Sequence, residues 1–187
     1  MNIDLINSIE ALLYGAGRPI TLSEIRNILG NTSDGDIELS DIKKALNFLE
    51  QRYIDTSIEI REVASGYRLQ IKQDHSTSLA NLWNDKAPRI SKALMETISI
   101  IAFKQPVTRG DIEDIRGVSV STRSIRSLLE RNWIKVSGFR DVPGRPALYV
   151  TTKDFLDDLN LKDISDLPEL PEITDASEDD FCLLYTS

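Results

Sequence analysis

The chain of 187 residues contains one cysteine, Cys182, and one histidine, His75. A lone cysteine excludes an internal disulfide framework and makes the cytoplasm the default compartment. A zinc site needs about three or four ligands, and a general base needs a nucleophile or an orienting carboxylate beside it. One histidine and one cysteine far apart in sequence supply neither. No metal and no cofactor is therefore expected, and the chain reads as a non-enzyme. No stretch reaches the roughly 18 apolar residues of a membrane helix, so no membrane partner is expected. The start, Met1-Asn2-Ile3-Asp4, lacks the basic opening of a secretory signal. Gly15-Ala16-Gly17 is a fragment of a phosphate-loop pattern, but no strand precedes it and Arg18-Pro19 follows. It reads as the end of a helix.

What the sequence does contain is a repeat. Pro19-Ile20-Thr21-Leu22-Ser23-Glu24-Ile25 returns, 87 residues later, as Pro106-Val107-Thr108-Arg109-Gly110-Asp111-Ile112, and the match runs on to Gly30 and Gly117. The period is too long for a solenoid repeat of roughly 20–50 residues, so it predicts two copies of one small domain. Thr21 and Thr108 are placed to cap a short helix. Glu24 and Asp111 are the reciprocal acids of a capping box, the aspartate being the shorter, weaker version. Gly30 and Gly117 are the expected left-handed residues at its end. The acids Asp111, Glu113 and Asp114 then belong to a first helical turn, where the dipole favours them, rather than to a catalytic pair.

The flanks repeat as well. Leu5, Ile6, Ile9, Leu12, Leu13 and Ala16 line one face of an opening helix, and Ile90, Leu94, Ile98, Ile101 and Ala102 do so in the second copy, with Ser91 as N-cap. A third helix follows each motif. One runs from Ser40 to about Tyr53, with Ile42, Ala45, Leu46 and Leu49 inward. The other runs from Ser121 to Arg131, with Ile125, Leu128 and Leu129 inward. The first copy holds seven extra residues, which fit in the turn-forming segment Asn31–Asp36. Both copies then change to a period of two. Ile58–Val63 and Tyr67–Ile71 flank Ala64-Ser65-Gly66, while Ile134-Lys135-Val136 and Leu148-Tyr149-Val150 flank Val142-Pro143-Gly144-Arg145-Pro146. Both read as β-hairpins.

Helix, short helix, helix, hairpin is the order of a winged helix. The expected fold is α+β and mostly helical: a winged helix over 1–75 that ends at His75 in a polar stretch, a linker over 76–89, a second winged helix over 90–162, and an acidic, disordered tail over 163–187. Charge divides along the same lines. The net charge of −8 comprises −5 over residues 1–85, +6 over 86–150 and −9 over 151–187. The middle segment alone has the sign of a nucleic-acid binder.

Two readings of that basic domain stand side by side. Arg123 and Arg126 on its third helix and Arg140 and Arg145 on its hairpin suit phosphate contact, with the helix in a groove. They equally suit a solvated face, Arg126 and Glu130 forming an i,i+4 pair. The outward face has no Asn or Gln to read adenine edges. In the first domain the apolar face of the opening helix is wider than one small core requires. Ile3, Ile6 and Tyr14 are the candidate residues of a subunit interface, against the alternative of a fully used core helix with incidental exposed residues. Pro143-Gly144 suits a type II turn, which would leave Arg145 either meeting a partner or stapling its own hairpin. Trp133 stands where a side chain enters the core.

Arg140–Leu156, Ile60–Leu69, Ile100–Arg109 and Leu161–Pro168 strongly resemble the signature segments of the segregation and condensation protein B (ScpB) family, and the likeness runs in order over about residues 3–171. Val150 departs from the small residue usual in that family. The resemblance implies a non-catalytic subunit of the bacterial SMC–kleisin condensin complex. Such proteins form a homodimer through the N-terminal winged helix, bind the kleisin ScpA and through it meet the SMC ATPase. They support chromosome condensation and segregation in the cytoplasm at the nucleoid. It places kleisin binding on Arg140, Gly144, Arg145 and Pro146 and dimerisation on Ile3, Ile6 and Tyr14. Weak, non-specific DNA contact through Arg123 and Arg126 is a second use. The competing class is a tandem winged-helix transcription regulator.

Overall fold

Apolar residues at helical spacing begin each half, and both halves build the same unit from them. The computed structural model of the chain describes residues 3–30, 37–83 and 90–168. The first unit comprises α1 (Ile3–Ala16), α2 (Leu22–Gly30), α3 (Leu39–Arg52), β1 (Ile58–Val63) and β2 (Gly66–Ile71). A 3₁₀ turn at Gln73–His75 leads into α4 (Ser76–Trp83). The second unit comprises α5 (Lys92–Lys104), α6 (Arg109–Arg116), α7 (Thr122–Glu130), β3 (Ile134–Phe139) and β4 (Ala147–Thr151). It is followed by α8 (Lys153–Asp158) and a 3₁₀ turn at Ile164–Asp166. The architecture is mixed and mostly helical.

Each unit has its own core. In the first, Ile6, Ile9 and Leu13 of α1 meet Ile25 of α2 and Ile42, Ala45, Leu46 and Leu49 of α3. In the second, Leu94, Ile98 and Ile101 of α5 meet Ile112 of α6, Ile125 and Leu128 of α7, and Trp133. Fully burying one such aliphatic side chain contributes about 1.5–3 kcal/mol. Leu129 differs from expectation. It lies one residue past the Ile125–Leu128 stripe, at its edge, and is 37% exposed. Trp133 is buried, stands edge-on to Phe155 with centroids 5.7 Å apart, and donates from Nε1 to Asp158 at 2.7 Å.

The two hairpins are antiparallel pairs, each joined to the segment before its short helix by one bridge, Ile20 to Tyr67 and Val107 to Tyr149. The second hairpin extends three residues further along β3 than the sequence pattern predicts, with a register shift between Val136 and Gly138.

The short helices start alike and close differently. Thr21 Oγ1 accepts the Glu24 N–H at 3.2 Å, but the Glu24 carboxylate turns away to Arg18. Thr108 Oγ1 accepts the Asp111 N–H at 3.2 Å, and Asp111 Oδ2 accepts the Thr108 N–H at 2.8 Å. The complete capping box is thus the aspartate one, against expectation, because Arg18 draws the longer glutamate away. Gly117 closes α6 at φ 68° as expected. Gly30 remains helical instead, and the insertion after it, 31–36, lies outside the described residues.

The segments expected between and after the two units are partly ordered. The expected linker 76–89 contains α4. The expected tail from 163 begins with an ordered turn, in which Ile164 and Leu167 pack against the second core; the remainder of that tail lies outside the described residues.

Candidate functional site

The tip of the second hairpin is held by its own backbone. The Arg145 N–H donates to the Val142 carbonyl at 2.9 Å, with Pro143 and Gly144 between them and Gly144 at φ 87°. That is the type II turn expected from Pro-Gly, whose third position requires positive φ. The Arg140 N–H donates to the Pro146 carbonyl at 2.9 Å and the Val142 N–H to the Arg140 carbonyl at 3.0 Å. Three backbone bonds therefore fix the loop from Arg140 to Pro146.

Side chains tie this loop to the body of the unit. Arg140 grips Asp111 with both ends of its guanidinium, Nη1 to Oδ1 at 2.8 Å and Nη2 to Oδ2 at 2.6 Å. The Arg140 guanidinium first, and the Thr108 N–H second, hold the Asp111 carboxyl down to about 2 from its ordinary 3.8. A bidentate arginine–carboxylate pair fixes orientation as well as distance. At the other end of the hairpin, Gln105 Oε1 accepts both the N–H and the hydroxyl of Thr151, at 2.7 and 2.9 Å.

The four hairpin residues singled out from the sequence therefore separate into three roles. Arg140 is spent on Asp111. Gly144 and Pro146 shape the turn. Arg145 projects from the tip, exposed, and its side chain makes no hydrogen bond or ion pair among the described residues; its backbone stands at φ 38°. On α7, Arg123 and Arg126 are exposed too. The Arg126–Glu130 pair that the spacing offers does not form.

In the first unit, Ile3 is 71% and Tyr14 is 82% exposed on α1. Ile6 does not join them. It is 3% exposed and turned into the unit's own core, one helical turn from the open face, so it has no surface to offer a second protomer. Tyr14 stands between two shallow grooves that share Ile58 and Leu69 of the hairpin as their apolar floor.

The sequence shows Asp111 as a capping acid but not its tie to Arg140, because nothing in sequence joins residues 29 positions apart on different elements. Among the described residues no cluster of His, Cys, Asp and Glu is arranged to hold a metal, and no helix is long and apolar enough to cross a membrane.

The fold defines a class: a mostly helical chain of two repeated helix–hairpin units, with Ile3 and Tyr14 bared on the opening helix of the first and an arginine-tipped hairpin on the second. The family model for segregation and condensation complex subunit ScpB matches residues 7–170. The chain belongs to that family. It is 44% identical over 167 residues to the segregation and condensation protein B homolog of Coxiella burnetii, covering 89% of this chain and 79% of that protein. It is 35% identical to segregation and condensation protein B of Syntrophotalea carbinolica, over 98% of this chain and 90% of that one. Among solved structures it is similar to ScpB from Mycobacterium tuberculosis, at 25% identity, 85% and 97% coverage and a TM-score of 0.40. A dimer of an ScpB N-terminal domain complexed with an ScpA peptide matches at 25% identity, 41% and 91% coverage and a TM-score of 0.36.

Proposed function

We propose that this chain is a non-catalytic scaffold of the bacterial SMC–kleisin condensin complex, a homodimer that binds the kleisin ScpA and serves chromosome condensation and segregation at the nucleoid. The observation that carries this reading is family membership across nearly the whole described chain, residues 7–170. In this reading each unit is a winged helix. The N-terminal one, residues 1–75, dimerises through the α1 face that bears Ile3 and Tyr14. The C-terminal one, residues 90–162 with its packed extension to 168, receives the kleisin.

Within the second unit, Arg145 is the contact residue, with Gly144 and Pro146 setting its direction and Arg140 anchoring the loop. A cation held on a rigid tip loses little freedom on meeting an acidic segment, which favours specificity over bulk affinity. Arg123 and Arg126 offer a second, weaker use in non-specific DNA contact. Family membership does not favour the competing reading, a transcription regulator.

Light scattering on a sizing column tests the proposal, for the protein alone and mixed with ScpA from the same genome. The expected result is a dimer of about twice 21.0 kDa that shifts to a larger, stoichiometric complex. A monomer, or a dimer that leaves ScpA untouched, would overturn it.

A further inference from the structure

The turn of the first hairpin, Ala64-Ser65, does not end in solvent. The Ala64 N–H donates to the carbonyl of Leu161 at 3.0 Å, and the Ser65 N–H to Asp157 Oδ1 at 3.0 Å. Beside them Arg68 Nη2 donates to the Asp157 carbonyl at 2.9 Å and to Asn160 Oδ1 at 2.6 Å. Lys162 and Glu62 pair at 2.9 Å. All five contacts join the first unit to the end of α8 and the residues just after it.

Asp157 carries the argument. It sits in the last turn of α8, the end of a helix where the dipole disfavours an anion, and it is only 8% exposed. A buried carboxylate needs partners. Its oxygen finds one in the Ser65 N–H of the other unit, while Arg68 reaches the carbonyl of the same residue. Asn160, at φ 59°, turns the chain after α8 so that its own amide and the Leu161 carbonyl both face the hairpin turn. The five contacts named are all polar, and the two cores share no residue. Parting the units therefore leaves both cores whole.

The geometry points to a polar clasp, Ser65 and Arg68 on one side with Asp157 and Asn160 on the other, that locks the two units into one rigid body and opens without unfolding either. Shut, it fixes the spacing between the α1 face and the second hairpin tip, and it occupies the first hairpin's turn. Any partner that needs that turn has to open the clasp first. This inference rests on the fold and stands apart from ScpA binding.

Amide exchange by NMR on the full chain tests it. The Ser65 amide is expected to be protected at least ~10-fold in the unaltered protein. Asp157→Ala should abolish that protection, and Arg68→Gln should weaken it, while the amides of Ile25 and Ile125, within the two cores, keep their rates. Asp157→Ala should also enlarge the radius of gyration measured by small-angle scattering. Three results would each overturn the proposal: an unprotected Ser65 in the unaltered chain, protection that survives Asp157→Ala, or core amides that speed up together with Ser65 in both variants.

Discussion

In the first unit Thr21 and Glu24 occupy the places that Thr108 and Asp111 occupy in the second, yet the two acids take different partners. Glu24 pairs with Arg18, six residues away on an exposed surface. Asp111 closes its capping box and also holds Arg140, 29 residues on. The consequence falls on the hairpins. The second is bound to its own helices and leaves its tip free to meet other molecules. Among the described residues the first has no such acid-to-arginine tie to its short helix, and it gives its turn to the neighbouring unit. One repeated sequence thus yields an outward-facing hairpin and an inward-facing one, and the acid-to-arginine contact is one of the differences between them.

The largest effect should come where the two hairpins differ in backbone. Tyr67 and Tyr149 make equivalent bridges, but the residue before them is Gly66 in one and Leu148 in the other. Gly66 stands at φ 131°, and a Cβ there would lie 2.3 Å from the Ile20 carbonyl oxygen. Gly66→Ala should lower stability in urea unfolding by about 3 kcal/mol or more, because strain and a backbone clash combine. Gly138→Ala in the second hairpin, with nothing within 4 Å, should change it by less than ~0.5 kcal/mol. Equal losses would end the contrast.

Capping comes next. Thr108→Ala removes a cap that is 3% exposed and part of a reciprocal box. It should cost about 1.5 kcal/mol in the same assay, and Thr21→Ala about 0.5 kcal/mol. Acid sharpens the difference further. A carboxyl whose folded value is depressed stabilises fully above its unfolded value and loses that contribution as pH falls through the folded one. For Asp111 the window runs from 3.8 down to about 2. The stability gap between the unaltered protein and Asp111→Asn should therefore persist at pH 5 and shrink steadily over that window, as followed by thermal melts. The smallest effect on stability belongs to Arg145. Arg145→Glu should leave the melting temperature unchanged while weakening ScpA binding at least ~10-fold by calorimetry. Arg140→Ala should lower both.

Much of this arrangement is legible in the sequence because it is local. Apolar spacing gives α1, α3, α5 and α7 within a residue or two, Ser91 caps α5 as read, and Pro143-Gly144 declares its turn. The residues that bury in α3, Ile42, Ala45, Leu46 and Leu49, are those the 3.6-residue period selects. Local reading fails where the deciding partner is remote. Glu24 and Asp111 look interchangeable until Arg18 and Arg140 are placed in space. Ile6 and Ile3 lie on adjoining parts of one apolar stripe, and only packing against α2 and α3 reveals which is consumed by the core. Asp157 and Asn160 carry no motif at all. Their role comes from a turn more than ninety positions away, and backbone N–H groups, which every residue but proline possesses, leave no trace in sequence.

Trp133 gives these comparisons an optical gauge. Its indole is enclosed by Phe155 and hydrogen-bonded to Asp158, both on α8, with Arg131 lying over the ring at 5.5 Å. The helix that carries Asp157 is therefore the same one that shields this fluorophore. Once the other tryptophan is replaced by Trp83→Phe, the emission colour reports whether α8 stays seated. A clasp that merely opens should leave the emission blue, whereas one that drags α8 from its bed should turn it red.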